Sequence, residues 1–177
     1  TISDGMDLLD AGKYKALILG HQGPNFCAGA NLANMIQAIE TGAYDQMTDT
    51  LKQLQDLTQR IRFSNNPVVA APHHLTLGGG FELVAPAAHR VASSELYIGA
   101  VEVGVGLIPG AGGNLRMLLN LMENSSSGRI NSFQVVQKAF ETIGFAKVAT
   151  SADEAKFLGY LLKTDTIILN NDHRIWA

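Results

Sequence analysis

Two short apolar runs, KALILG (Lys15 to Gly20) and PVVAA (Pro67 to Ala71), flank a stretch in which Met47, Leu51, Leu54 and Ile61 recur at helical spacing. Each run suits a buried strand, and Tyr44 to Arg62 reads as an amphipathic helix lying on a core. Strand, helix, strand in that order predicts a right-handed crossover, and hence an α/β fold. Further short strands are expected at Arg90 to Ala92 and Leu96 to Ile98, and helices at Gly113 to Met122, Ser132 to Ile143 and Ser151 to Leu158. Ser151 and Glu154 have the S-x-x-E spacing of a capping box, and Asn124 to Gly128 is the most loop-like stretch. With 177 residues, 46% of them hydrophobic, the chain suits one domain with a real core. No internal repeat or second domain is read in it.

The charge balance narrows the function. A net charge of −3, with no run of either sign, argues against a nucleic-acid footprint or a basic membrane-binding face. No stretch approaches the ~18–20 apolar residues of a membrane span. Cys27 is the one cysteine, so no intrachain disulfide forms, and the expected compartment is the reducing, cytoplasmic interior of a cell. The start at Thr1, where TISDGMDLLDAG already reads as a helix stopped by Gly12, and the end in LNNDHRIWA lead us to expect a fragment of a longer protein.

Glycine is unevenly spread, with nine of the 18 glycines between Gly78 and Gly113. The densest cluster, TLGGGFEL (Thr76 to Leu83), reads as a strand running into a helix over Phe81 to Ala88. Free amides at such a junction point outward, and glycine lets a ligand oxygen approach them. A tight turn with packing glycines is the plainer alternative. Glu82 follows at once in apolar surroundings, and Glu102 is the one charge in IGAVEVGVGLIPGAGG. Isolated carboxylates beside glycine-rich backbone suit an acid and base pair, although either alone reads as a surface or ion-paired residue. A second loop, GHQGPNFCAGANL (Gly20 to Leu32), leads through Phe26, Cys27, Ala28 and Gly29 to a helix start near Asn31, and exposes the amide of Ala30 by the same logic.

Other patterns carry less. Cys27 has no base near it in sequence and reads as packing. His73 and His74 alternate across a strand and do not share a metal, so both read as structural and no metal site is expected. His89-Arg90 reads as a solvated or ion-paired end. The run from Gly104 to Gly110 misses the G-x-G-x-x-G spacing, and neither a phosphate-binding G-x-x-x-x-G-K-[ST] nor a G-x-S-x-G is present.

Taken together, FCAGANL, NPVVAAPHHLTLGGGFEL and EVGVGLIPGAGGNLRML resemble the crotonase superfamily, whose best-known members are enoyl-CoA hydratases; the resemblance covers Lys15 to Leu119. The segment AFETIGFAKVATSADEAKFLGYL further resembles the hydratase-like part of bifunctional 3-hydroxyacyl-CoA dehydrogenase/enoyl-CoA hydratase proteins of fatty-acid β-oxidation. The resemblance implies a ββα superhelix of repeated strand-strand-helix units, here one domain over 1–177 incomplete at both ends. It implies that the amides of Ala30 and Gly79 form an oxyanion hole for a thioester carbonyl and that Glu82 and Glu102 are the catalytic pair. Ala28, Gly29, Gly78 and Gly80 would line the acyl-CoA path. It implies an acyl-CoA substrate, no cofactor in this chain, NAD only in a missing dehydrogenase domain, and a homo-oligomer for the intact protein. Many relatives carry aspartate where this sequence has Asn31, a change that preserves helix capping. Missing first strands and C-terminal helices would put the activity of the fragment itself in question.

Overall fold

The computed structural model describes residues 1–125, 131–173 and 175. Strands β1 (Leu17–Leu19), β2 (Val68–Ala70), β4 (His89–Ser93) and β6 (Thr166–Ile168) form one sheet in the order β1-β2-β4-β6, every neighbouring pair parallel. Strands β3 (His74–Leu77) and β5 (Leu96–Gly99) form a second parallel pair, and Cys27 bridges to Thr76 on the other edge of β3. Parallel neighbours cannot be joined by a hairpin, so helices carry the chain back: α1 (Ile2–Asp10) precedes the first strand, and α2 (Leu32–Glu40), α3 (Tyr44–Phe63), α4 (Gly79–Val84), α5 (Gly113–Asn124), α6 (Ser132–Gly144) and α7 (Ala152–Leu158) follow.

The connectivity is a spiral of strand-strand-helix units. In each, the first strand joins the large sheet and the second joins the small layer: β1, the bridge at Cys27, then α2; β2, β3, then α4; β4, β5, then α5. Successive units therefore set their second strands side by side. Their ends meet on one edge, where the loops into the helices begin.

Most elements lie where the sequence predicts them, with differences that have local causes. The helix expected over Phe81 to Ala88 occupies Gly79–Val84 instead. Its end is drawn away because Arg90 Nη1 takes the carbonyls of Ala85 and Ala87, and the amide of Ala88 donates to Val68 in the sheet. Ser151 Oγ does accept from the amide of Glu154, but the Glu154 carboxylate reaches one residue further back, to the amide and hydroxyl of Thr150. Of the loop expected at Asn124 to Gly128, Asn124 ends α5 and Ser125 follows it in a turn, while residues 126–128 lie outside the described residues. Strand β6 was not foreseen, although Thr166, Ile167 and Ile168 form a β-branched run. Arg90 is ion-paired rather than solvated: it is buried, with Nε 2.7 Å from Asp165 Oδ2. Among the described residues, no helix is long and apolar enough to cross a membrane.

Candidate active site

Register brings the candidate residues together. Thr76 pairs with Cys27 on one side and with Ile98 on the other. Three residues beyond each of these lie Ala30, Gly79 and Val101, and Glu102 follows Val101. The first two strands stay tied at this point, with Cys27 N–H donating to Leu75 O and Leu77 N–H to Cys27 O, both at 2.9 Å. Gly78 N–H then donates to Gly99 O at 2.8 Å. Gly78 has φ +54°, a conformation natural to glycine, and it turns the chain out of the ladder into α4.

The amides after these turns are left over. Asn31 caps α2 by accepting from the amides of Ala33 and Asn34, at 3.0 and 3.3 Å, which leaves Ala30 outside the cap. Gly79 is the first residue of α4, where helix amides lack an internal partner. Among the described residues, neither Ala30 N–H nor Gly79 N–H donates a hydrogen bond. Ala28 and Gly29 connect Cys27 to the first of them, and Gly29 passes close to β3: a Cβ there would lie 3.3 Å from Leu77 O.

The two glutamates lie near enough for the charge of Glu82 to act on Glu102. Glu82 stands in the first turn of α4 and is buried, with Oε1 accepting from the amides of Ala111 and Gly113, each at 2.8 Å. Burial pushes its carboxyl above the usual range, and the amides of Gly113 and Ala111 pull partly back. Glu102 opens a short 3₁₀ turn, Glu102–Val105. Its Oε1 lies 3.2 Å from where a Cβ on Gly78 would stand, so the carboxylate rests against the residue just before the free amide of Gly79. Its Oε2 is buried and has no hydrogen-bond partner among the described residues. Burial raises the Glu102 carboxyl too, its own backbone amide pulls the other way, and the charge of Glu82 raises it further.

This arrangement offers two unused amide donors at neighbouring strand ends and two carboxyls, one held by amides and one with an unpartnered oxygen. Donors of this kind stabilise charge developing on an oxygen, and carboxyls beside them can give and take protons. The flanking surface is apolar. Leu54 Cδ2 comes within 3.8 Å of a Cβ position on Gly79, and Leu51, Val105, Leu107 and Ile108 are exposed. Helix α2 buries none of its residues, leaving Leu32, Ile36 and Ile39 uncovered beside Ala30.

Other candidates fall into structural roles. Cys27 packs on Gly80, where an added Cβ would lie 2.8 Å from both its Cβ and its carbonyl oxygen. His73 is buried with Nε2 3.0 Å from Gly23 O, and half-buried His74 has Nδ1 3.5 Å from Glu95 Oε1. The amides that hold Glu82 were not anticipated, although the glycine cluster from Gly110 to Gly113 marked the loop that supplies them. A cleft of about 540 Å³, lined by Gln22, Pro24, His74, Asn171 and Ile175 among others, includes neither glutamate.

The chain is similar to several known proteins. The family model described as "Enoyl-CoA hydratase/isomerase" matches residues 9–129. The chain is 42% identical over 163 residues to the "Probable 3-hydroxyacyl-CoA dehydrogenase" of Bacillus subtilis (strain 168), covering 92% of this chain and 20% of that protein. It is 38% identical over 105 residues to the "Putative fatty acid oxidation complex trifunctional enzyme" of Rickettsia felis, covering 59% of this chain and 15% of that one. The crystal structure of enoyl-CoA hydratase from Thermoplasma volcanium GSS1 matches with a TM-score of 0.77 at 26% identity, over 99% of this chain and 62% of that one. The chain thus spans about a fifth of the Bacillus protein and under two thirds of the solved structure.

Proposed function

The chain belongs to the enoyl-CoA hydratase/isomerase family and has the crotonase fold, and from that premise we propose that it adds water to a trans-2-enoyl-CoA to give a 3-hydroxyacyl-CoA. The observation that carries the reading is the Glu102 carboxylate, unpartnered at Oε2 and resting on Gly78, beside the free amide of Gly79 and close to the charge of Glu82. A reaction that uses one carboxylate leaves the second unexplained.

The thioester oxygen accepts from the amides of Ala30 and Gly79. Water held at Glu82 attacks C3, its oxygen forms the new C–O bond, and its proton passes to the carboxylate pair. The π electrons of the C2–C3 bond shift toward C1 and place charge on the thioester oxygen, which is where the two amides act. Removing one such donor in other enzymes costs about 2.7–4 kcal/mol of barrier. Glu102 then delivers a proton to C2, and the net change is the addition of H at C2 and OH at C3. Glu82, held by two amides, suits the fixed task of orienting water; Glu102, free at one oxygen, suits proton delivery. The uncovered apolar side chains beside the pair suit an aliphatic acyl group.

We further propose that this chain is the hydratase part of a longer protein of fatty-acid oxidation. The remainder of that protein would oxidise the 3-hydroxyacyl product with NAD. The named Bacillus and Rickettsia relatives, of which the chain covers a fifth or less, support that reading. No dinucleotide is assigned to these 177 residues.

The test follows loss of enoyl-thioester absorbance in the wild type, Glu82→Gln and Glu102→Gln, with 2-enoyl and 3-enoyl thioesters supplied separately. Each variant is expected to lose about 10²–10⁴-fold in hydration rate while still binding acyl-CoA. Undiminished hydration in either variant rules out the pair, and turnover of the 3-enoyl substrate alone assigns double-bond isomerisation instead.

A further inference from the structure

Tyr160 is the bulkiest fully buried side chain among the described residues, and it stands outside the site itself. Its ring meets Phe81 edge-on, with centroids 5.0 Å apart, and Phe81 precedes Glu82 in α4. Its hydroxyl donates to Lys147 O at 2.5 Å and accepts from Ala100 N–H at 3.3 Å, two residues before Glu102. On the opposite side of this short segment, Gly99 O accepts from Gly78 N–H at 2.8 Å. The backbone leading to Glu102 is therefore held between the strand that presents Gly79 and the hydroxyl of Tyr160.

We propose that Tyr160 is a positioning residue for the reaction: its hydroxyl fixes the Ala100 peptide, and so sets where the Glu102 carboxylate rests against Gly78, while its ring steadies the turn of α4 that carries Glu82. A buried tyrosine hydroxyl needs a partner, and of the two it has, one is the amide on the path to Glu102. Burial, with the charge of Glu102 adding to it, pushes the phenol up to about 12 against the pull of the Ala100 amide, so it stays a neutral donor to Lys147 O. The segment from Lys147 onward is anchored independently, since Ala149 and Ile98 exchange backbone hydrogen bonds across the outer edge of β5. This inference rests on the reading of Glu102 as the group that delivers the proton.

The experiment measures steady-state hydration of a short 2-enoyl-CoA by Tyr160→Phe, Glu102→Gln and the double variant, in the protein as the cell makes it. Tyr160→Phe keeps the ring and is expected to lower kcat by roughly tenfold to a hundredfold, the order that a small misplacement of a reacting group costs, with KM changed less than about twofold. In the Glu102→Gln background the same change is expected to cost nothing further, because it acts through that carboxylate. An unchanged kcat in Tyr160→Phe, or the same fold loss in both backgrounds, overturns the inference while leaving the hydratase reading standing. Full activity in Glu102→Gln overturns the hydratase reading, and this one with it. Should Tyr160→Phe fail to fold, amide exchange in the wild type decides: Ala100 N–H is expected to be as protected as the β5 amides, and loop-like exchange there sinks the proposal.

Discussion

A carboxylate oxygen buried without a hydrogen-bond partner destabilises the fold that contains it, because desolvation is not repaid by a bond. Glu102 Oε2 is in this position. Its folded carboxyl titrates above the ordinary value of 4.5, so its contribution to stability is fully present below 4.5 and is lost as pH rises through the raised value. Glutamine resembles the protonated form at every pH. Glu102→Gln is therefore expected to melt at a higher temperature than the wild type at pH 7, with the gain vanishing when both are melted below about pH 4. Melting curves over that range check it, and a variant no more stable than the wild type at pH 7 would place Glu102 outside a desolvated site. Combined with the expected loss of turnover, a gain in stability would mark Glu102 as a residue kept for chemistry at the expense of the fold.

Among elements, the three adjacent glycines differ in what they do for the fold. Gly78 supplies the positive φ that starts α4; Gly79 leaves only Leu54 near a Cβ position, at 3.8 Å; Gly80 packs on Cys27, where a Cβ would fall 2.8 Å from a backbone oxygen. Gly80→Ala is expected to cost about 1–3 kcal/mol by overpacking the loop against α4, whereas Gly79→Ala is expected to be neutral or stabilising in a helix. Urea unfolding of the two variants separates them, and equal midpoints would show that the α4–loop contact is loose. The order of strands and helices was legible because KALILG, PVVAA and the 44–62 period each dictate one kind of element. The end of α4 and the existence of β6 were not, because the contacts around both are long-range ones. Asp165, just before β6, accepts from the amide and Nε of Arg90 in β4 and from the amide of Leu162. Asp165→Ala leaves a buried guanidinium uncompensated and is expected to cost about 3–5 kcal/mol, read as a fall in the unfolding midpoint; a loss within about 0.5 kcal/mol, typical of a surface change, would contradict it.

At the scale of the molecule, the spiral makes the site a property of three units in register. Ala30 comes from the first, Gly79 and Glu82 from the second and Glu102 from the third, each at the end of a second strand. Residue types announced Glu82, Glu102 and the two loops as candidates, but the pairing of Cys27, Thr76 and Ile98 that aligns them is written in no local pattern. Residues separated by tens of positions meet only once the parallel ladder has set their offset. A ligand that spans the three strand ends should accordingly tie the units together and stabilise them jointly, in proportion to its affinity. The contact proposed for the first two units is a carbonyl oxygen on two amides, so the decisive ligands are a saturated acyl-CoA thioester and the S-alkyl-CoA thioether of equal length. With two hydrogen bonds each worth roughly 0.5–1.5 kcal/mol net, the thioester is expected to bind about fivefold to 150-fold tighter. It should also raise amide protection beyond the Cys27 bridge, β3 and β5 together. Calorimetric titration with both compounds measures the difference, and equal affinities would mean that the amides of Ala30 and Gly79 do not share one oxygen.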